Sequence, residues 1–391
     1  FDLRFRRVLD QRTPAWRAET LEEPIRWAAG DPLEALVLRA CLLDAAPCGS
    51  PRAEAAGTVR RLDRDALTGD EECLRQVFGL LVLAHYQTRP QDLRILLDAP
   101  GTRVLAIMDG RDVLATLVAT EEGGISDPAL CQAIFDGRRR PRGHLIPQTL
   151  SAHGGLPDAP GLRYLRVVRI AVHPQRLRSG LGRRLIEALL QDARREGIDL
   201  IGASFGASPE LIRFWSACGC RPVQVGTSRN AASGEHALVM LRAASATGRR
   251  FLGQAEPHLE RRLVSLLPGP LRGWDPTTAA ALVCALRATP PRPERDPAGR
   301  QARGLEAFVQ ANRTLDAALP VLAEVTRRRL GPALRDGRIA PPDGALLLAW
   351  ARQLREPAEL VAIFGEPGRD ALIARLRRAA GRLLDGDPDP V

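Results

Sequence analysis

The stretch RIAVHPQRLRSGLGRRLIEALL, residues 169–190, holds the residue types whose spacing best supports chemistry. It reads as an apolar strand, a His-Pro pair that ends its pairing, an arginine- and glycine-bearing loop, and an amphipathic helix. A helix start leaves about four backbone N–H groups unpaired and carries the positive end of the dipole. The main chain of Leu177, Arg178, Ser179, Gly180, Leu181, Gly182 and Arg183 can therefore cradle a pyrophosphate. The ligand this pattern calls for is an anion. Gly180 and Gly182 permit close backbone approach, while Arg176, Arg178, Arg183 and Arg184 add charge. His173, directly after the strand, has the side chain whose ordinary pKa lies nearest neutrality, which suits a base or proton relay. The alternative is that its imidazole only caps local backbone where the strand ends.

These residues need a strand before them and a helix after them. Tyr164 to Val172 alternates as a strand should. Leu181 to Glu196 places Leu181, Leu185, Leu189 and Leu190 on one helical face, with Gly197 as its stop. Upstream, Leu74 to Tyr86 has helical spacing, Asp92 to Leu97 is a short helix, and Arg103 to Met108 with Asp112 to Ala119 flank an Asp109-Gly110 turn as a hairpin. Downstream come a strand from Ile198 to Phe205, a helix begun by Ser208-Pro209-Glu210 and stopped at Gly219, and strands at Val223 to Val225 and Ala237 to Leu241. The fold class this predicts is α/β, a mixed sheet with flanking helices. After it, Leu305 to Ala318, Val321 to Leu330, Gly344 to Leu354 and Asp370 to Leu384 repeat with a helical period, broken by PPRPERDPAG at 290–299, and predict a mostly α-helical C-terminal domain. Near the start, Asp31 caps a helix running from Pro32 to about Leu43. Small-residue stretches at Pro47 to Gly57 and Ala244 to Gly248 read as linkers, which gives three pieces: 1–50, 51–245 and 246–391.

Composition narrows the chemistry further. The chain has 391 residues, 45% of them apolar, enough for two or three domains with real cores. All 56 basic residues are arginine, so no P-loop lysine, Schiff-base lysine or pyridoxal anchor is available. Residues 51–245 carry 26 arginines against 21 acids and residues 246–391 carry 23 against 17, so the net charge of +10 belongs to the middle and the tail. Clusters at Arg138, Arg139, Arg140 and Arg142, at Arg261-Arg262, at Arg327 to Arg329 and at Arg375, Arg377 and Arg378 together predict a field attractive to phosphate polyanions. Taken singly, each cluster reads as an ordinary solvated face. Apolar runs such as Leu80 to Ala84 fall far short of a spanning helix, so no membrane partner is expected. The seven cysteines show no CxxC spacing, which predicts neither a metal site nor a disulfide framework and fits a cytoplasmic protein. Cys218 and Cys220 read as core thiols, and Trp215, Trp274 and Trp350 as core rather than stacking platforms. The opening FDLRFRRVLDQ has no apolar h-region and reads as the interior of a longer protein.

With the loop and its flanking elements in view, residues from about 75 to 242 resemble the GNAT acetyltransferase superfamily. Its Gln/Arg-x-x-Gly-x-Gly/Ala signature follows the central strand and binds the pyrophosphate of acetyl-CoA. Gly180 and Gly182 match it, whereas Leu177 stands at the Gln/Arg position. RIAVHP, SFGASPELIRFW and SRNAASGEH further resemble the tRNA(Met) cytidine acetyltransferase family, over nearly the whole chain. That resemblance implies an end of a helicase-like ATPase module at 1–50, the GNAT domain at 51–245 and a helical tRNA-binding tail at 246–391. It implies acetyl-CoA contacts at Ile170, Ala171, Val172, Leu177 to Arg183 and Glu210, with a further arginine contact replaced by Ala217. PIRW resembles the last ATPase motif, where Arg26 reaches ATP phosphates, ATP with Mg being held mainly by a phosphate loop upstream of Phe1. This chain alone is therefore not expected to hydrolyse ATP.

The implied reaction is N4-acetylation of the wobble cytidine of elongator tRNA(Met). Cytosine N4 has its lone pair delocalised into the ring, so it must be positioned closely and relieved of a proton. The resemblance places the thioester beside Ile170 to Val172 and Ile201 to Phe205, with a main-chain N–H near Ala171 or Val172 for the oxyanion. RNA contacts are expected at Arg139, Arg140, Arg142 and Arg229. Two other functions stay open here: a GNAT enzyme for a protein or small-molecule amine, and an RNA-binding protein with a degenerate site. The pattern does not predict an oligomeric state.

Overall fold

The computed structural model describes the chain except residues 1–8, 11, 12, 14, 18, 20–24, 26, 53–55, 85–89, 232, 288–299, 312 and 385–391. In chain order the elements run α1 (Pro32–Ala40), β1 (Thr58–Leu62), α2 (Arg64–Gly69), α3 (Glu71–Ala84), α4 (Pro90–Asp98), β2 (Thr102–Asp109), β3 (Asp112–Gly123), α5 (Pro128–Phe135), α6 (Leu145–Gln148) and β4 (Arg163–Val172). There follow α7 (Leu181–Arg195), β5 (Leu200–Gly206), α8 (Pro209–Ala217), β6 (Arg221–Arg229), β7 (His236–Ala243), α9 (Ala246–Leu266), α10 (Pro276–Ala285), α11 (Arg300–Gln310), α12 (Leu315–Arg335), α13 (Pro341–Ala351), α14 (Pro357–Phe364) and α15 (Arg369–Leu384). The chain forms two compact units, residues 1–122 with 164–201 and residues 123–163 with 202–391. The strands belong to one mixed sheet, in the order β1-β2-β3-β4 followed by β5-β7-β6.

In the first unit, local signals set the elements and burial orients them. Asp31 caps α1 by accepting from the Leu33 and Glu34 amides, as expected. The helix stops at Ala40 rather than near Leu43, because Leu42 turns to a left-handed φ of 50° and sinks into the core. The β2–β3 hairpin pairs Asp109 with Asp112 across a turn in which Gly110 takes a φ of 61°. Val77, Phe78, Leu81 and Leu96 from α3 and α4 pack with Val104, Ala106, Val118 and Ala171 from the strands. Within the stretch read from composition as a linker, Cys48, Arg52, Ala56 and Gly57 are bonded into this unit. Gly57 has a φ of 59° and lies so close to Ile107 Cγ2 that a Cβ would stand 2.6 Å from it.

The second unit holds β5 from Gly202 onward, β6, β7 and the C-terminal helices. Ser208 caps α8, with Pro209 at its first position, and Gly219, at a φ of 79°, follows its end. Trp215 is buried against Phe205 and Phe214, and Trp274 meets His236 edge-on; both tryptophans and Trp350 are core residues. Cys218 and Cys220 are buried thiols, and burial pushes Cys220 far up. From Gly344 to Ala351, α13 is buried on every side, as a central helix must be.

Two sequence expectations need correction in this unit. The period read through Leu305 to Ala318 is interrupted, since α11 ends at Gln310 and Thr314 caps a new helix. That new helix, α12, runs through Pro320 and Pro332, although each removes a backbone donor. A buried stripe of Leu315, Ala318, Leu322, Leu330 and Ala333 holds it together against that cost. The expected break at 290–299 lies outside the described residues.

Candidate active site

The loop between β4 and α7 starts from a fixed anchor. The His173 amide donates to the Leu114 carbonyl at 2.9 Å, continuing the β4 backbone beside β3. Its imidazole is only 3% exposed. The Gln175 amide donates to Nδ1 at 3.3 Å, which leaves the ring proton on Nε2, and Nε2 donates to the Cys48 carbonyl at 2.9 Å. Both nitrogens are thus occupied. In this geometry the ring caps local backbone, the alternative that the sequence left open. Replacing His173 with alanine strands the Cys48 carbonyl and the Gln175 amide and is expected to cost about 1–3 kcal/mol in urea unfolding. Acyl transfer is expected to persist in that variant; its abolition with the fold intact would restore the imidazole as the base.

From this anchor the loop turns outward. Leu177 is 63% exposed, and Arg178 holds a left-handed φ of 63°, unusual for a residue with a Cβ. The Ser179 hydroxyl donates to the Arg176 carbonyl at 2.5 Å. Gly180 takes a φ of 82° as the N-cap of α7, and a Cβ built on it would meet nothing within 4 Å. Arg184 makes the first helical bond, to the Gly180 carbonyl at 3.1 Å. Among the described residues the amides of Ser179, Gly180, Leu181, Gly182 and Arg183 have no acceptor. Five consecutive donors at the positive end of a 15-residue helix, next to open space, fit a diphosphate.

The four arginines around this loop divide into two pairs. Arg176 is buried and donates to the Arg52 carbonyl at 2.6 Å. Arg184 donates to the Ala56 and Gly57 carbonyls. These two guanidiniums tie Arg52, Ala56 and Gly57 to the loop and are not free charge for a ligand. Arg178 and Arg183 are exposed and carry no ion pair among the described residues.

Ala171 points into the core, while Ile170 and Val172 are half-buried. One position earlier, Arg169 forms a 2.8 Å ion pair with Asp92 of α4. Together with Phe78, Leu81, Ile95 and Val168, this pair lines a cleft of about 90 Å³. Sequence reading missed the pair, although Asp92 in the first turn of α4 and Arg169 one residue before Ile170 were both visible.

In the second unit, Glu210 is exposed in the first turn of α8 and pairs with Arg213 at 3.3 Å. Arg139, Arg140 and Arg142 are exposed after α5, without an acidic partner among the described residues, while Arg138 is paired with Asp136. Arg229 is exposed but donates to the Gly273 carbonyl at 2.8 Å. The other clusters are largely internal. Arg262 donates to the His153 carbonyl and Gln224, Arg327 and Arg328 pair with Glu324, and Arg375 joins Asp343 to Glu366. Arg26 lies outside the described residues. Among the described residues no group of three or more His, Cys, Asp or Glu side chains is placed to hold a metal ion, and no helix is long and apolar enough to cross a membrane.

Residues 76–193 and 188–245 match the family model GNAT acetyltransferase 2, so the loop and its sheet belong to the GNAT fold. Residues 1–44 match the helicase domain of RNA cytidine acetyltransferase NAT10/TcmA. The chain is 39% identical over 398 residues to tRNA(Met) cytidine acetyltransferase TmcA of Nitrosococcus halophilus, covering 98% of this chain and 52% of that protein. It is 34% identical to the protein of the same name from Yersinia pestis, covering 95% and 51%. With that of Salmonella typhimurium the identity is 36%, covering 95% and 51%. The chain spans about half the length of these relatives. Over that half, from the end of the helicase match through the glycine-bearing loop to the helical tail, the chain belongs to the tRNA(Met) cytidine acetyltransferase family.

Proposed function

We propose that this chain is the acyl-transfer half of an enzyme that acetylates N4 of the wobble cytidine of elongator tRNA(Met) from acetyl-CoA. The observation that carries the reading is the row of five unaccepted amides from Ser179 to Arg183 at the start of α7. These amides hold the coenzyme diphosphate, with Arg178 and Arg183 beside them. Leu177 in place of the family's Gln/Arg matters little, because the grip is main-chain. When bound, acetyl-CoA supplies an activated acyl group on a thiol that leaves readily. Ile170 to Val172 border the acyl end, and a β4 amide near Ala171 or Val172 stabilises the developing oxyanion.

The base is received on the other side of Ile170, by the cleft that Asp92 and Arg169 line. There Asp92, oriented by Arg169, is the carboxylate that accepts a hydrogen bond from the exocyclic amine. In this reading His173 anchors the loop. Glu210 contributes to coenzyme binding. ATP with Mg enters through the helicase-like part of the full-length protein, Arg26 included, and the tail binds tRNA. The protein works in the cytoplasm, where its RNA substrate is.

The exposed Arg139, Arg140 and Arg142 supply the electrostatic part of RNA binding, and Arg229 touches the RNA backbone with the donors that Gly273 leaves free. Each phosphate contact contributes roughly 0.7–0.9 to the slope of log affinity against log salt. Changing all three loop arginines to glutamine is therefore expected to lower that slope by about 2–3, measured by anisotropy of labelled tRNA. An unchanged slope would place the RNA elsewhere. The reaction is tested by incubating the full-length protein with acetyl-CoA, ATP and tRNA and digesting to nucleosides. N4-acetylcytidine supports the reading; RNA binding without acetylcytidine contradicts it and favours a degenerate site.

A further inference from the structure

The helical part of the second unit encloses a small charged cleft that the acyl-transfer reading does not use. It lies among Glu260 of α9, Arg327, Arg328 and Arg335 of α12, and Arg352, the residue that ends α13. The carboxylates here are already engaged. Glu324 accepts from Arg327 at 2.8 Å and also pairs with Arg328, and Glu260 lies 3.6 Å from Arg327. Arg335 donates to the Cys284 and Leu286 carbonyls at 3.0 and 2.6 Å and stands exposed at the rim.

Arg352 differs from all of these. It is only 9% exposed, yet its guanidinium has neither a hydrogen bond nor an ion pair among the described residues. Burial, and then the charge of Arg327, pull its pKa down to about 10, against the opposing pull of Glu260 and Glu324. A cluster of four arginines facing two carboxylates leaves positive charge unbalanced, and the Arg352 guanidinium faces the cleft without an acceptor from the protein. The cleft offers about 30 Å³, which is room for roughly two oxygen atoms and too little for a base or a ring.

We propose that this cleft is a phosphate-binding site in which Arg352, with Arg327 and Arg328 beside it, receives two oxygens of a single phosphate group. A planar guanidinium fork suits that geometry, and Arg335 at the entrance attracts the anion. A carboxylate ligand would bring less charge to the same two-oxygen seat. The phosphate can be a backbone phosphate of bound RNA or free inorganic phosphate, and the two sources are separable by experiment.

The chain is titrated with inorganic phosphate at constant ionic strength, following 31P line width and the unfolding midpoint. Saturable binding of one phosphate with a raised midpoint is expected, because a ligand of the folded state stabilises it. In Arg352→Gln the affinity should fall at least tenfold, while Arg335→Gln should weaken it less. Tracer RNA anisotropy then assigns the source. If Arg352→Gln weakens RNA and phosphate competes with it, the site holds an RNA phosphate; if RNA affinity is unchanged, the ligand is free phosphate. Absence of saturable phosphate binding to the unmodified chain, together with unaltered RNA affinity in Arg352→Gln, overturns the proposal. Should Arg352→Gln fail to fold, Arg352→Lys keeps the charge and loses the fork; phosphate affinity equal to that of the unmodified chain would likewise overturn it.

Discussion

Changing Gly180 to valine is expected to abolish acetyl-CoA binding while leaving RNA affinity nearly intact. The backbone at Gly180 has a φ of 82°, a region that costs a residue with a Cβ about 1–2 kcal/mol and a β-branched one more. The surrounding protein does not forbid the side chain, since a Cβ there meets nothing within 4 Å. The isopropyl group would instead fill the space over the Leu181 and Gly182 amides. Each hydrogen bond to a charged group contributes about 1.5–3 kcal/mol, so losing two means roughly a 10²- to 10⁴-fold weaker complex. Calorimetry with acetyl-CoA and anisotropy with tRNA measure the two affinities separately. Equal loss of both would mean that the loop serves folding.

The largest stability loss is expected at Glu256, with no change in the first unit. Its side chain is fully buried in α9, ion-paired with Arg221 at the start of β6 and accepting from the Arg287 amide at 2.7 Å. Removing the carboxylate leaves a half-buried guanidinium and a backbone donor without their partner, at a cost of about 3–5 kcal/mol. Glu256→Gln keeps an acceptor for the Arg287 amide and should lose less than Glu256→Ala. Urea unfolding followed at the second unit's tryptophans measures the loss; a change under about 1 kcal/mol in Glu256→Ala would show that the pair contributes little.

What could be read from the sequence was local. Asp31, Ser208 with Pro209, Gly197, Gly219 and the Asp109-Gly110 turn each act on neighbours within a few residues, so their spelling decides their effect. The buried leucine face of α7 and the exposed glycine loop before it were legible for the same reason. Partners distant in sequence were not. Arg176 and Arg184 look like ligand charges, yet their acceptors lie more than 120 residues away, in a stretch whose small residues spell a linker. His173 could have been a base or a cap, and only the positions of Cys48 and Gln175 decide between them.

The arginine clusters teach a similar lesson. Spelling cannot distinguish Arg139, Arg140 and Arg142, exposed without acids, from Arg327 and Arg375, whose charges are engaged by neighbouring carboxylates. Likewise, Pro320 and Pro332 suggest helix ends, but the apolar stripe of α12 is long enough to carry the helix past both.

The grip of the loop on the coenzyme is tested most directly by hydrogen exchange across residues 177–184, with and without acetyl-CoA. The amides of Ser179 to Arg183 have no internal acceptor, so they should exchange fast in the free chain and slow sharply once the coenzyme binds. Acetyl-CoA that binds while those five amides keep exchanging at their free rate would contradict the account.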